Sequence, residues 1–251
     1  MTRISNATAG VFDEGLVTTE SAIDSYHLTP GILTGKDGFD GFRKMNASTL
    51  PPAFQLVAGH PILDFVNTLD WRFREEGSEE LLKSYDDLLR FAEQSMLLSS
   101  SQAKRVRRAA KTGTADLVLA RCIELREATA QVLYSILNER NPSSTQMKIL
   151  ERHFKEMHLH RSLDWKNAQM EWGFSEVKDL VELPLWLLSL STSDLMVSEQ
   201  MLRLRSCDNQ KCNWLFLDTS KNHTRRWCDM KICGNRMKAR RFKAQHRGVS
   251  S

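Results

Sequence analysis

The chain has 251 residues, 41% hydrophobic and 26% charged, which is the make-up of an ordinary soluble protein with room for a full core and a small appended module. No segment approaches eighteen apolar residues, the best being the eight of "LPLWLLSL", so a membrane span is not expected. The net charge of +4 hides an asymmetry: from Arg203 to Ser251 thirteen Lys and Arg face three Asp, a local +10, and the 22 basic and 28 acidic residues before it leave −6. Local charge of that density points to a polyanionic partner.

Residues 1–50 are rich in Gly, Ser and Thr, hold six of the twelve glycines and show no sustained period, which predicts a flexible N-terminal extension or a start placed too early. They lack an apolar run of seven or more, so no secretory leader is expected and a reducing cytoplasm is the expected compartment. In "FQLVA" the alternation predicts a short strand, followed after His60-Pro61 by "ILDFVNTL". His60 and Asp64 suit a cap or turn better than an acid/base pair, and Asn67 and Thr68 either brace this region or line a pocket.

Ser84 and Asp87 stand at capping-box spacing before a helix with Leu88, Phe91 and Ala92 on one face. Longer helices are predicted near 115–138 and 144–160. Val118, Cys122, Leu125, Val132 and Ile136 share a helical face, which places this fifth cysteine in the core. His153, His158 and His160 read as solvated side chains. The passage "LDWKNAQMEWGF" carries no readable period, and Trp71, Trp165, Trp172 and Trp186 are expected to pack in the core, with a pocket lining as the alternative for some of them. Helical spacing resumes in "LPLWLLSLSTSDLMVSEQMLRLR", with Pro184 near the start, and leads directly into the cysteines.

The remaining cysteines read Cys207-x4-Cys212-x15-Cys228-x4-Cys233. Two short loops with two thiols each close a tetrahedral shell around one zinc ion, and four protein ligands leave no open position, so the metal is structural. A disulfide is the alternative that a reducing compartment disfavours. Between the pairs, "NWLFLD" and "HTRRW" are expected to form a hairpin that ends at Cys228. Cys233 is expected at the mouth of a helix, with free N–H groups turned toward the thiolates. On that helix Arg236, Arg240, Lys243 and Arg247 fall within about 60° of one another and Phe242 points away. Most charge runs are solvated faces, but cations in one column with no interleaved carboxylate fit a phosphate backbone. Lys238 and Arg241 are further cations of the same helix, and Arg225, Arg226, Lys221 and Lys211 extend the patch in a direction set by the hairpin register.

The segment "NWLFLDTSKNHTRRWCDMKICGNRMKARRF" with the paired cysteines resembles the CGNR zinc finger, the C-terminal module of a bacterial family whose N-terminal half is the ABATE domain. "LVAGHPILDFVNTLDWR" is similar to the ABATE opening, so the resemblance spans roughly Phe54 to Phe242. It implies a stress-associated transcriptional regulator whose finger binds DNA.

The expected architecture is mainly α: an extension over 1–50, a helical domain over 51–202, and a zinc-binding hairpin and helix module over 203–251. One structural Zn2+ is expected on Cys207, Cys212, Cys228 and Cys233. Arg225, Arg226, Arg236, Lys238, Arg240, Arg241, Lys243 and Arg247 are the candidate nucleic-acid contacts, with DNA favoured over RNA. The helical domain is the candidate site for a small-molecule effector or for homodimer formation. The sequence shows no Gly-rich phosphate loop, nucleophile elbow or HExxH, which argues against an enzyme. RNA binding is the runner-up, and exposed Trp214, Phe216, Trp227 and Phe242 would favour it by stacking on unpaired bases. A zinc-stabilised protein adaptor is the reading from a different class.

Overall fold

Polar side chains cap helix starts at His60, Ser84, Ser99 and Ser143 in the computed structural model, which describes residues 53–166, 168–174 and 180–247, the side chains of Lys166 and Arg247 excepted. The expected N-terminal extension lies outside the described residues. At Phe54–Ala58 alternation predicts a strand, but the backbone pairs with no strand. Instead the N–H groups of Val57 and Ala58 both donate to Asp64 Oδ1 at 2.9 Å. Gly59, at φ +80°, then turns the chain. His60 Nδ1 accepts from the Ile62 N–H at 3.3 Å and Pro61 opens helix α1 (Pro61–Val66), so both His60 and Asp64 serve the turn.

Strands β1 (Leu69–Asp70) and β2 (Glu79–Glu80) form a short antiparallel ladder. Helix α2 (Tyr85–Gln94) starts at Ser84, whose hydroxyl accepts from the Asp87 N–H, while Asp87 Oδ2 takes the Ser84 hydroxyl at 2.8 Å and the Lys83 N–H at 3.1 Å. The reciprocal arm of the box thus reaches one residue further back than the spacing implies. Helix α3 (Ser100–Ala109), not anticipated, carries a full capping box between Ser99 and Gln102.

Helix α4 (Thr112–Leu137) is the axis of the helical part, about 39 Å long at 1.5 Å per residue. Val118, Cys122, Leu125 and Val132 are buried as its spacing requires, but Ile136, near the helix end, is 43% exposed. Its Arg126 is fully buried and bound: Nη1 donates to Thr68 Oγ1 (3.0 Å) and Glu80 Oε1 (2.7 Å), Nη2 to Glu80 Oε2 (2.6 Å), and Nε to Glu127 (2.9 Å). A buried guanidinium needs such a complete shell. Helix α5 (Ser144–Leu159) folds back along α4. Against the expectation of solvated histidines, His153 is buried with Nε2 3.0 Å from Glu124, and His160 stacks on Trp186 with ring centroids 4.1 Å apart.

The unreadable tryptophan passage is a hairpin, β3 (Arg161–Lys166) against β4 (Gln169–Phe174). Helix α6 (Leu183–Val197) is apolar on all sides, and its Ser189 and Thr192 hydroxyls donate back to the carbonyls of Leu185 and Leu188. Residues 180–197 are long and apolar enough to cross a bilayer by composition alone, yet half of that stretch is buried inside the protein, where Trp186 and Leu188 are core residues. The chain reaches the first cysteine through a 3-10 turn (Glu199–Arg203) and strand β5 (Leu204–Ser206) rather than straight off α6. Strand β6 (Leu215–Leu217) pairs with β5, and a π-turn (Met230–Gly234) leads into helix α7 (Asn235–Arg247). The described residues are thus mainly α with two-stranded hairpins, as expected, and the helical part and cysteine module belong to one compact unit.

Candidate metal centre and nucleic-acid interface

The Sγ atoms of Cys207, Cys212, Cys228 and Cys233 lie within 4.8 Å of one another and all four side chains are buried. Cys212 and Cys228 are 3.6 Å apart at sulfur, and Cys228 and Cys233 3.7 Å. A tetrahedron of Zn–S bonds of about 2.3 Å has S–S edges of about 3.8 Å, so the donors stand at the spacing a zinc ion requires. Thiols this close perturb each other. Hydrogen bonding with Cys207 foremost pushes Cys212 and Cys228 up, while bonds from Cys212 and its neighbours pull Cys207 down to about 7 and Cys233 is likewise lowered. A dication bound by all four as thiolates removes that conflict. Outside the sulfurs, the buried Asn209 donates through Nδ2 to Cys233 Sγ at 3.5 Å, an orienting contact of the kind that fixes ligands.

The first knuckle, Cys207 to Cys212, is the loop of the β5–β6 hairpin, closed by Cys207 N–H to the Trp214 carbonyl (2.9 Å) and Cys212 N–H to the Asn209 carbonyl (2.7 Å). This corrects the expected hairpin: β6 pairs with β5 upstream, and 223–227 is not a strand. The reason lies on the other edge of β6. The Asn67 side chain accepts from the Leu215 N–H (3.0 Å) and donates to its carbonyl (2.9 Å), as a neighbouring strand would, and the Leu217 N–H goes to the Ala58 carbonyl (2.8 Å). Asp218, fully buried, closes the turn beyond the strand by accepting from the Ser220 hydroxyl (2.6 Å) and N–H (3.0 Å) and the Arg225 N–H (2.9 Å). Burial pushes its carboxyl up, but these hydrogen bonds outweigh it and hold Asp218 below the ordinary value.

The second knuckle differs from expectation as well. Asp229 caps the π-turn with its carboxylate on the N–H groups of Lys231 (2.6 Å) and Ile232 (3.0 Å), and its carbonyl accepts from the N–H groups of Cys233 and Gly234. Cys233 therefore sits inside the first turn, with its N–H spent on Asp229 rather than aimed at sulfur. A Cβ on Gly234 would stand 2.5 Å from the sulfur of Met230, a flexible and half-exposed side chain that would have to swing aside.

The basic residues divide into two groups. Arg225 is turned inward: it lies over the Phe216 ring (4.4 Å) and donates to the carbonyls of Trp227 (3.0 Å), Val57 (3.0 Å) and Cys228. Arg226 pairs with Asp208 at 2.5 Å. By contrast, α7 is exposed from Asn235 to His246 except at the half-buried Met237, and Lys238, Arg240, Arg241 and Lys243 have no carboxylate partner among the described residues. Arg236, at the helix base, lies 5.5 Å from the centre of the Trp71 ring. Arg247 closes the helix, with its side chain outside the described residues. Of the aromatic residues, Trp214 is 8% exposed, Phe216 0% and Phe242 61%.

Sequence reasoning missed how the helical part holds this module. Trp214 Nε1 donates to Asp70 Oδ1 at 2.8 Å, and the Tyr134 hydroxyl to the Asn213 carbonyl at 2.7 Å. Burial, chiefly, raises the Asp70 carboxyl above its usual range despite the N–H donors of Trp71 and Trp214. The polar residues Asn67 and Asp70 beside an apolar helix were the available signal.

Two family models match the chain. Residues 203–246 match the CGNR zinc finger and residues 59–199 match ABATE, described as "Putative stress-induced transcription regulator". The chain belongs to the ABATE family. No curated protein matches it. The four-cysteine cluster is then the centre of a CGNR finger, consistent with one structural zinc, and the ABATE description is of a regulator rather than an enzyme.

Proposed function

We propose that this ABATE protein is a cytoplasmic, DNA-binding transcription regulator of stress responses whose CGNR finger lays helix α7 along duplex DNA. One observation carries the reading: α7 stands exposed along its described length, with Lys238, Arg240, Arg241 and Lys243 free of carboxylate partners among the described residues. Such a helix neutralises phosphates and releases counterions. Arg236 anchors its base against Trp71 and, with Arg247, completes the column. Arg225 supports the finger from within, and Arg226 joins the contact only by leaving Asp208.

Duplex is favoured over unpaired RNA because Trp214 and Phe216 are committed to the interior, which leaves Phe242 as the exposed ring among the four aromatics of the finger considered for stacking. The zinc fixes the two knuckles and through them the direction of α7. The helical part, linked to the finger through Asn67, Asp70 and Tyr134, receives the input signal.

Competition among duplex DNA, single-stranded DNA and RNA for the zinc-loaded protein tests this. Duplex should displace the others, and a preference for single strands would move the assignment to RNA. No binding to any of them at low salt would leave a protein adaptor.

A further inference from the structure

The β3–β4 hairpin carries an apolar face that the core leaves open. Side chains alternate along a strand, so the cross-strand pairs Leu163 with Trp172 and Trp165 with Met170 share one face. These residues are 49%, 63%, 69% and 57% exposed, respectively. Two tryptophans in water side by side are unusual in a protein that buries Trp186 completely, and exposed apolar patches mark interaction sites.

What lies beside the patch narrows the partner. The hairpin overhangs a groove of about 850 Å³ whose floor is Val106 of α3 and Leu183, Leu187 and Leu190 of α6, within the size range of small-molecule sites. Arg105 of α3 lines the same groove and has no acidic partner among the described residues. Asp164, on the hairpin, also lines the groove, but it is engaged in an interaction of its own and is not a free carboxylate. An apolar floor, two indole rings, one of them under the Arg161 guanidinium at 4.6 Å, and Arg105 with no acidic partner among the described residues together select a flat apolar body bearing a negative group.

We propose that this groove binds a small planar organic anion, an aromatic carboxylate. Its ring packs against Trp165, Trp172 and the leucines, and its carboxylate pairs with Arg105. The site deepens the reading of the helical part as the input half of the regulator. Its test uses no DNA, so it succeeds or fails independently of DNA binding.

The zinc-loaded full chain is titrated with naphthalene-1-acetate, indole-3-acetate and salicylate, and with naphthalene-1-acetamide as the neutral counterpart, by calorimetry and tryptophan fluorescence. At least one acid should saturate below about 1 mM, with the amide about ten- to a hundredfold weaker than the naphthyl acid, as expected for a lost charge-assisted pair. Arg105→Gln should abolish the preference for acid over amide, and Trp172→Ala should weaken both, with urea midpoints showing both variants folded. Equal binding of acid and amide, or no saturation by any acid, would overturn the proposal. So would a dimer in sedimentation that Trp165→Ala and Trp172→Ala dissociate, since the face would then belong to a second copy of the chain.

Discussion

Replacing Asn67 by Leu keeps the number and branching of the side-chain heavy atoms, at a larger volume, but strips β6 of the amide that stands in for a neighbouring strand. Both lost bonds are buried: Leu215 is 0% exposed and Asn67 4%, and the amide meets the Leu215 N–H at 3.0 Å and its carbonyl at 2.9 Å. A buried backbone group left without a partner costs about 1–3 kcal/mol, so two of them amount to about 2–6 kcal/mol. For a protein of this size that is a fall in Tm of about 5–20 °C. Asn67→Asp should be comparably damaging at pH 7, because an ionised carboxylate faces the Leu215 carbonyl with no proton to donate, and should recover as acid protonates it. Urea melts followed by circular dichroism, with zinc in excess, measure both. A loss below about 0.5 kcal/mol for Asn67→Leu would refute the argument that β6 depends on this side chain.

Arg225→Ala should cost about 2–4 kcal/mol in the same melts, because the guanidinium serves the carbonyls of Val57, Trp227 and Cys228, whereas Lys243→Ala should change stability by less than about 0.5 kcal/mol. Burial, above all, raises the Asp64 carboxyl to about 6, even though the N–H groups of Ala58 and Val57 and the charge of Arg225 oppose it. The folded state then holds a proton that the unfolded chain has released, so this residue's contribution is best below about pH 4 and declines as pH rises through 6. The stability of the protein relative to Asp64→Asn should therefore fall by about 1–3 kcal/mol between pH 4 and 7, and a flat difference would contradict that assignment. Metal analysis should find one zinc per chain, and chelation should lower Tm and release four reactive thiols from the cluster of Cys207, Cys212, Cys228 and Cys233. Unchanged melting after complete metal removal would show that the metal is not structural.

Several local signals in the sequence were accurate, though the alternation at Phe54–Ala58 was not. The cysteine spacing located the converging sulfurs, Ser84 marked the start of α2, and the cation period described α7, because each depends on residues within a few positions of one another. Partners distant in the chain were not legible. The edge of β6 is filled by Asn67, 148 residues away, so "HTRRW" had no edge to pair with however strand-like it reads. Arg225 looked like its cationic neighbours, and only the fold puts backbone carbonyls around it. Trp165 and Trp172 were expected in the core or facing a pocket, and their hairpin has a single apolar face that no layer of the described residues packs fully over, beside the groove they line.

If α7 contacts duplex DNA through its cation column, binding must weaken with salt in proportion to the phosphates it neutralises. Affinity for a random duplex is measured from low to moderate salt for the zinc-loaded protein and for the combined Arg236, Arg240, Lys243 and Arg247 to Ala variant. Four lost phosphate contacts should flatten the slope of log K against log salt by about 3.6, while melting of the variant stays near that of the parent. An unchanged slope would contradict the claim and place the DNA-facing surface elsewhere.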